Sequence, residues 1–129
     1  MMDEGVILFA HGARDARWAE PFEAVAARLA GHCPQQHVRL AYLELMRPDL
    51  ATAAQQLADA GCRRVTVVPM FLGAGGHVQR DLPALLAQLH EAHPAVRFEA
   101  AAALGEMPSM PDAMARTIAA ELGHAGDRR

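Results

Sequence analysis

Near its start, the chain reads Val6-Ile7-Leu8-Phe9-Ala10-His11-Gly12, five apolar residues followed by a histidine and a glycine. A short apolar run without alternation is typical of a strand that is buried on both faces, as in parallel sheets. Comparable runs predict three further strands, over residues 37–45, 65–71 and, more weakly, 96–102. The strand predicted over residues 65–71 is the richest in β-branched residues.

Helical periodicity fills the interval after each predicted strand. The apolar positions that recur every three to four residues are Phe22, Val25, Ala26 and Leu29 in the first helix and Leu82, Leu85, Leu86 and Leu89 in the third. Gly31 is predicted to stop the first helix. Pro48-Asp49 opens the second, which runs through Ala60 to Gly61. Pro111-Asp112 opens the fourth, with Met114, Ile118 and Leu122 predicted to face inward and Gly123 at its end.

The alternation of strands and helices predicts a single α/β domain over residues 1–123, followed by a polar tail over 124–129. We expect a small doubly wound parallel sheet of four strands, in the order 2-1-3-4, with right-handed crossovers and helices on both faces. In such a sheet the winding reverses between strands 1 and 3. Ligands bind at this switch point, outside the carboxyl ends of the strands.

Three chemically versatile residues fall at this edge. His11 directly follows strand 1, His77 lies in the loop after strand 3, and Glu44 ends strand 2. Each has a simpler interpretation, because a single histidine after a strand often only caps or packs, and Glu44 could simply reach solvent. Both histidines adjoin a glycine, Gly12 or Gly76, which allows a ligand to approach the backbone. Their convergence therefore favours a functional site.

Imidazole and carboxylate ligands suit a divalent ion such as iron, cobalt, nickel or zinc. Two nitrogen ligands and one oxygen ligand would leave coordination positions of the ion open for a reaction. The other histidines are expected at the surface; they are His32, His37, His90, His93 and His124.

Arginines and glycines surround the same crevice. Arg14 and Arg17 follow His11, Arg47 follows Glu44, and Arg80 follows His77. Guanidinium groups bind carboxylates well, so a polyanionic ligand is indicated, although ordinary solvated arginines remain the alternative. The backbone N–H groups of the Gly73-Ala74-Gly75-Gly76 run could also cradle an anion.

Composition excludes several chemistries. The chain has no lysine, and its single serine, Ser109, lies outside any G-x-S-x-G motif. Schiff-base, P-loop and serine-hydrolase chemistry are therefore disfavoured. A net charge of −3 gives no support to nucleic-acid binding, and no apolar run reaches the roughly 18 residues of a membrane span. The acidic start is unlike a signal peptide, and Cys33 and Cys62 fit two reduced thiols, so we expect a cytoplasmic protein.

Three segments together resemble a known family, the short-form sirohydrochlorin chelatases, which are class II tetrapyrrole chelatases. The segments are His11-Gly12-Ala13-Arg14-Asp15, Ala41-Tyr42-Leu43-Glu44, and Val67-Val68-Pro69-Met70-Phe71-Leu72 leading into Gly75-Gly76-His77-Val78-Gln79-Arg80-Asp81-Leu82-Pro83. The resemblance covers residues 6–122 and implies a flavodoxin-like or chelatase-like fold. It also implies insertion of Co²⁺, Fe²⁺ or Ni²⁺ into sirohydrochlorin, a tetrapyrrole with eight carboxylates, in the biosynthesis of cobalamin, sirohaem or a related compound.

The resemblance also implies roles for individual residues. His11 and His77 would form the metal site, and Glu44 would be the third catalytic participant. Arg14, Arg47, Gly75, Gly76 and Arg80 are the expected substrate-binding residues. The metal ion is a substrate, no permanently bound cofactor is expected, and the short members are homodimers. Two positions depart from the family pattern, since Ala13 replaces a frequent serine and Ala16 a frequent proline.

Two other interpretations stay open at this point. A metal or tetrapyrrole carrier could use the same fold without turnover. A flavodoxin-like or receiver domain is less consistent with the sequence, because residues 11–17 contain no serine or threonine and the chain contains no lysine.

Overall fold

The structure, a computed structural model, describes residues 3–73 and 77–127, including the side chains of all of these except 77–79 and 124–127. Four parallel strands form one sheet, and they are β1 (Glu4–Ala10), β2 (Gln36–Tyr42), β3 (Arg64–Pro69) and β4 (Arg97–Ala100). The helices are α1 (Glu20–His32), α2 (Leu50–Asp59), α3 (His77–Ala92) and α4 (Met110–Asp127). Short 3-10 helices cover Ala16–Ala19 and Leu104–Glu106.

The strand order is β2-β1-β3-β4, as predicted. In the register, Ala10 pairs with Tyr42 and Phe9 with Pro69, so β1 ends level with both of its neighbours. The loops after β1, β2 and β3 therefore leave the sheet at one edge. This places the switch point between β1 and β3.

Both faces of β1 are buried, which explains its uninterrupted apolar sequence. Ile7 and Phe9 belong to the larger core, beneath α2 and α3, and both are almost completely buried. Ala10 belongs to a smaller cluster on the α1 side, together with Tyr42 and Phe22. Helices therefore lie on both faces of β1, as predicted.

Helix α2 begins and ends as predicted. The Asp49 carboxylate accepts a hydrogen bond of 2.8 Å from the Thr52 backbone N–H, which caps the first turn. At the other end, Gly61 has a φ of +93°, a conformation that favours glycine.

Glycine was also predicted to end α1 and α4, but it ends neither helix. Helix α1 continues through Gly31 to His32, and Pro34 disfavours helical backbone at Cys33, where the helix ends. Helix α4 passes through Gly123 and ends at Asp127, so helix covers most of the predicted tail. No proline follows Gly123 to stop the helix.

The predicted strands 2, 3 and 4 are all shorter in the structure. Consequently Glu44 lies two residues beyond β2 rather than at its end. His77 is the first residue of α3 rather than part of the preceding loop. Ile118 and Leu122 of α4 are 61% and 67% exposed, so the prediction that they face inward is wrong. No helix among the described residues is both long and apolar enough to cross a membrane.

Candidate metal and substrate site

The loops after β1 and β2 are joined by backbone hydrogen bonds beyond the ends of the strands. The Leu43 N–H donates to the Ala10 carbonyl (2.9 Å), and the Glu44 N–H donates to the His11 carbonyl (3.1 Å). These bonds hold the two residues of interest, His11 and Glu44, on adjacent backbone segments. The pairing follows from the parallel register, which a strand prediction with the wrong end point could not show.

Gly12 makes this close approach possible. Its φ is +100°, and a β-carbon built at this position would collide with the backbone carbonyl oxygen of Glu44. Any other residue would therefore both strain the backbone and push the two loops apart.

The His11 and Glu44 side chains meet at the carboxyl edge of the sheet. His11 Nδ1 lies 3.8 Å from Glu44 Oε1, and the side chains are 54% and 58% exposed. This distance is too long for a hydrogen bond but short enough for an ion pair when the imidazole is protonated. Both groups are open to a ligand, and the predicted convergence of these two residues is observed.

Phe71 supports the His11 ring from the other side, in the loop that follows β3. The two rings meet edge to face, with centroids 6.0 Å apart. Sequence reasoning included Phe71 in a strand and gave it no role at the site. Its position two residues after a parallel strand and two residues before Gly73 was the available signal.

The loop after β3 is braced in turn by the 3-10 helix Leu104–Glu106. The Gly105 N–H donates to the Phe71 carbonyl at 2.9 Å, and a β-carbon at Gly105 would collide with the backbone of Leu72. Sequence reasoning also missed this contact, because it joins segments more than thirty residues apart.

The other histidine that was predicted at the site belongs to α3. His77 is the first residue of that helix, which follows β3, the neighbour of β1 in the sheet. Gly75 and Gly76 lie outside the described residues. Among the described side chains, no group of three histidine, cysteine, aspartate or glutamate residues is placed to hold a metal ion. The described part of the site therefore offers two potential ligands, His11 and Glu44.

Comparison with known proteins now identifies the family. The CbiX family model matches residues 5–121. The chain belongs to the CbiX family. A solved structure described as a cobalamin (vitamin B12) biosynthesis CbiX protein from Marinobacter aquaeolei VT8 is 35% identical, with a TM-score of 0.82. The match covers 94% of this chain and 98% of that one.

Other relatives of this CbiX chain carry functional names. A sirohydrochlorin cobaltochelatase from Sulfolobus acidocaldarius is 33% identical over 61% of this chain and 63% of that protein. Another from Methanopyrus kandleri is 31% identical over 63% of this chain and 57% of its own. The chain thus spans less than two thirds of the length of these curated relatives. The sirohydrochlorin chelatase SirB from Bacillus subtilis subspecies spizizenii, solved with cobalt, shares the fold, with a TM-score of 0.69 at 21% identity over 76% of this chain and 42% of its own.

The loop that contains Glu44 lines a depression in this CbiX chain. The Met46 N–H donates to the Glu44 carbonyl (2.8 Å), and the Tyr42 N–H donates to the Pro48 carbonyl (2.9 Å). The loop is thereby closed on itself around Leu45, which has a φ of +67° and is 59% exposed. The depression has a volume of about 410 Å³ and is lined by residues 43–47 and Asp49.

Three of the four arginines noted near the CbiX site are exposed and available. Arg47 lines the depression, while Arg14 and Arg80 are exposed on the neighbouring segments. Within the part of the chain that the structure describes, no ion pair involves any of the three. Arg17, by contrast, binds both carboxylate oxygens of Asp15, and the resulting hydrogen bonds lower the pKa of Asp15. Arg17 is thus occupied by its neighbour.

The other histidines of this chain lie away from the carboxyl edge of the sheet. His32 ends α1 and His37 lies near the start of β2, at the amino edge of the sheet. His90 Nε2 lies 3.2 Å from the Phe98 carbonyl oxygen, and the His93 ring packs near the same phenylalanine. His124 lies in α4.

Proposed function

We propose that this chain is a chelatase, a lyase that inserts a divalent cobalt, iron or nickel ion into sirohydrochlorin during the biosynthesis of cobalamin, sirohaem or a related tetrapyrrole. The observation that carries the proposal is the pairing of His11 with Glu44 at the switch point, beside the helix that begins with His77. Imidazole and carboxylate are suitable ligands for these ions. Relatives named sirohydrochlorin cobaltochelatase support the same substrate.

Metal insertion requires a loosely held ion and the loss of two pyrrole protons. In the proposed reaction, His11 and His77 hold the ion over the macrocycle and, as the macrocycle nitrogens take over the ion, the released imidazoles accept those protons in turn. Neutral imidazole suits both tasks, because its unperturbed pKa is about 6.5. Glu44 orients the His11 ring or passes a proton to solvent. The four macrocycle nitrogens replace the protein ligands, and two protons leave for each ion inserted.

Recognition of sirohydrochlorin requires both cationic and apolar surfaces. We assign the carboxylates of the substrate to Arg14, Arg47 and Arg80, together with the backbone N–H groups of Gly75 and Gly76. The apolar ring system has partners at the same edge, since Leu45 and Leu72 are 59% and 70% exposed. Exposed leucines beside a polar pair fit a ligand with an apolar body and a charged rim.

We further propose that the active form is a homodimer in the cytoplasm, in which two sites share a cleft. The openness of the His11–Glu44 pair supports a partner that closes the site. Cys33 and Cys62 are both free thiols, which is consistent with a reducing compartment.

An absorbance assay tests the proposed activity. The protein is mixed with metal-free sirohydrochlorin and Co²⁺, Fe²⁺ or Ni²⁺, and the rate is compared with that of the uncatalysed reaction. We expect catalysis with at least one ion, near-complete loss in His11→Ala and His77→Ala, and a smaller loss in Glu44→Gln. His32→Ala is the matched control, because this histidine lies at the amino edge, and it should keep the full rate.

Two results would contradict the proposal. One is a normal rate in both His11→Ala and His77→Ala, with folding confirmed by circular dichroism. The other is stoichiometric binding of metal or tetrapyrrole without turnover, which would indicate a carrier.

A further inference from the structure

Helix α4 has a continuous apolar stripe on one side. Met110, Met114, Ile118 and Leu122 recur every four residues and therefore share a face of the helix. An ion pair between Asp112 and Arg116 lies on the opposite face, with an Nη2–Oδ2 distance of 2.8 Å. This distribution is typical of a helix that packs one face against other protein.

Within its own chain, α4 has almost no packing partner. Its principal contact is with the 3-10 helix Leu104–Glu106, and none of its described side chains, through residue 123, is buried. Ile118 and Leu122 are both more than 60% exposed. An 18-residue helix with such a stripe is unlike the isolated helices that water alone can stabilise.

The α1 face of the sheet has a complementary gap. Val6, Leu29, Thr66 and Val68 line an apolar groove of about 260 Å³ beside α1. Val6, Thr66 and Val68 are only half-buried. On the opposite face of the same strand, Val65 and Val67 are completely buried beneath the helices. The α1 side of β3 therefore lacks the helix that would complete its core.

We propose that two copies of this chain exchange α4, so that the stripe of each α4 lies in the groove of the partner. The inference rests on the homodimer of the proposed function and specifies how that dimer is held together. Helix α4 of the same chain does not fill this groove in the structure. Its direction is set at its start, where the Met110 N–H donates to the Met107 carbonyl (2.9 Å) directly after the braced 3-10 helix.

The surface involved is large enough for a stable dimer. A helix of 18 residues is about 27 Å long and about 10 Å wide, and exchange buries two such helices against two grooves. The total buried area is then at most about 1,100 Å², which reaches the roughly 1,000 Å² expected of a specific interface. The Asp112–Arg116 pair stays in water.

Oligomeric state in solution provides the first test, by size-exclusion chromatography with light scattering on the full chain. We expect the wild-type protein at twice 13.9 kDa. The double variant Ile118→Gln, Leu122→Gln should dissociate with a Kd raised about 100-fold or more, because two large apolar side chains per copy are lost. The control Ala120→Gln introduces a glutamine on the side of α4 away from the stripe, removes no stripe residue, and should stay dimeric.

The outcomes separate this inference from the proposed function. A monomeric wild-type protein would overturn the homodimer and the exchange together, while the chelation assay would still test the activity. A dimer that survives the Ile118 and Leu122 substitutions unchanged would overturn only the exchange of α4.

Crosslinking provides a second test that does not depend on loss of folding. Cys33 lines the groove and is half-buried, so Leu122→Cys places a second thiol on the docking face. A short flexible bismaleimide should join this thiol to Cys33 of the partner subunit and give a product of dimer mass. Cys33→Ala in the same background should abolish that product. A link within one chain, or no link between these positions in a dimeric sample, would overturn the proposal.

Discussion

Substitution of Gly12 by alanine tests whether the glycine holds the His11 and Glu44 loops together. Two costs can be assigned from the structure. At a φ of +100°, a β-carbon costs about 1–2 kcal/mol of backbone strain. Its collision with the Glu44 carbonyl also forces the loops apart and breaks the 3.1 Å bond from the Glu44 N–H to the His11 carbonyl, at about 0.5–1.5 kcal/mol. We expect a total of about 2–3 kcal/mol.

Gly61→Ala is the matched control for this experiment. Gly61 has a φ of +93°, close to that of Gly12, but a β-carbon there meets no atom within 4 Å. Only the conformational cost of about 1–2 kcal/mol should apply. Gly61 also lies between α2 and β3, at the edge of the sheet opposite the site.

Two measurements on each variant complete the test. Urea unfolding should show a greater loss of stability in Gly12→Ala than in Gly61→Ala, by about 1 kcal/mol. The rate of metal insertion should fall steeply in Gly12→Ala, because Glu44 is displaced from His11, and should stay normal in Gly61→Ala. Equal stability losses together with an unchanged insertion rate in Gly12→Ala would show that Gly12 does not hold the two loops together.

Three further predictions concern single residues. Hydrogen bonds from Thr52 lower the pKa of the Asp49 carboxyl, the side-chain bond more than the backbone bond. The contribution of Asp49 to stability is therefore complete above pH 4 and is lost as the pH falls through the lowered pKa. Urea unfolding should show Asp49→Ala destabilised by about 1 kcal/mol at pH 7, and Asp49→Asn nearly as stable as wild type but without this acid-dependent loss. Leu45→Asn should keep or raise stability by up to about 1 kcal/mol, because asparagine tolerates a φ of +67°, while weakening sirohydrochlorin binding; a loss above 1 kcal/mol in thermal unfolding would contradict this. Burial raises the pKa of the Cys62 thiol, so Ellman's reagent should modify Cys62 only on unfolding; modification of Cys62 in the native protein would contradict this.

The parallel sheet could be predicted from the apolar sequence of β1 and from the alternation of strands and helices, and the order of the strands is the usual one for a small doubly wound sheet. Ile7 and Leu8 point to opposite faces of β1, and both can be buried only if the sheet is covered on both sides, as parallel sheets are. The switch point, and with it the meeting of His11 and Glu44, followed from that order without knowledge of any contact. His77 was predicted in the loop before α3 but is the first residue of that helix, because the glycines before it gave no signal of where the helix begins.

The contacts that support the site could not be predicted in the same way. The bond from Gly105 to Phe71 depends on the three-dimensional path of two loops, and neither residue lies in a periodic pattern. The outward face of α4 was also misjudged, because an apolar stripe shows that a helix is packed but not which chain it packs against. Ile118 and Leu122 fit a helix buried in its own domain as well as one buried in a dimer.

The proposed chelation requires the imidazoles of His11 and His77 to bind one metal ion together. Histidine-selective ¹⁵N labelling, with ring signals assigned by single substitutions, allows a titration with substoichiometric Co²⁺ to report on all seven histidines at once. We expect the ring signals of His11 and His77 to broaden in parallel, while those of His32, His37, His90 and His93 persist. Broadening of only one of the two signals, or first broadening at His90 and His93, would contradict this expectation.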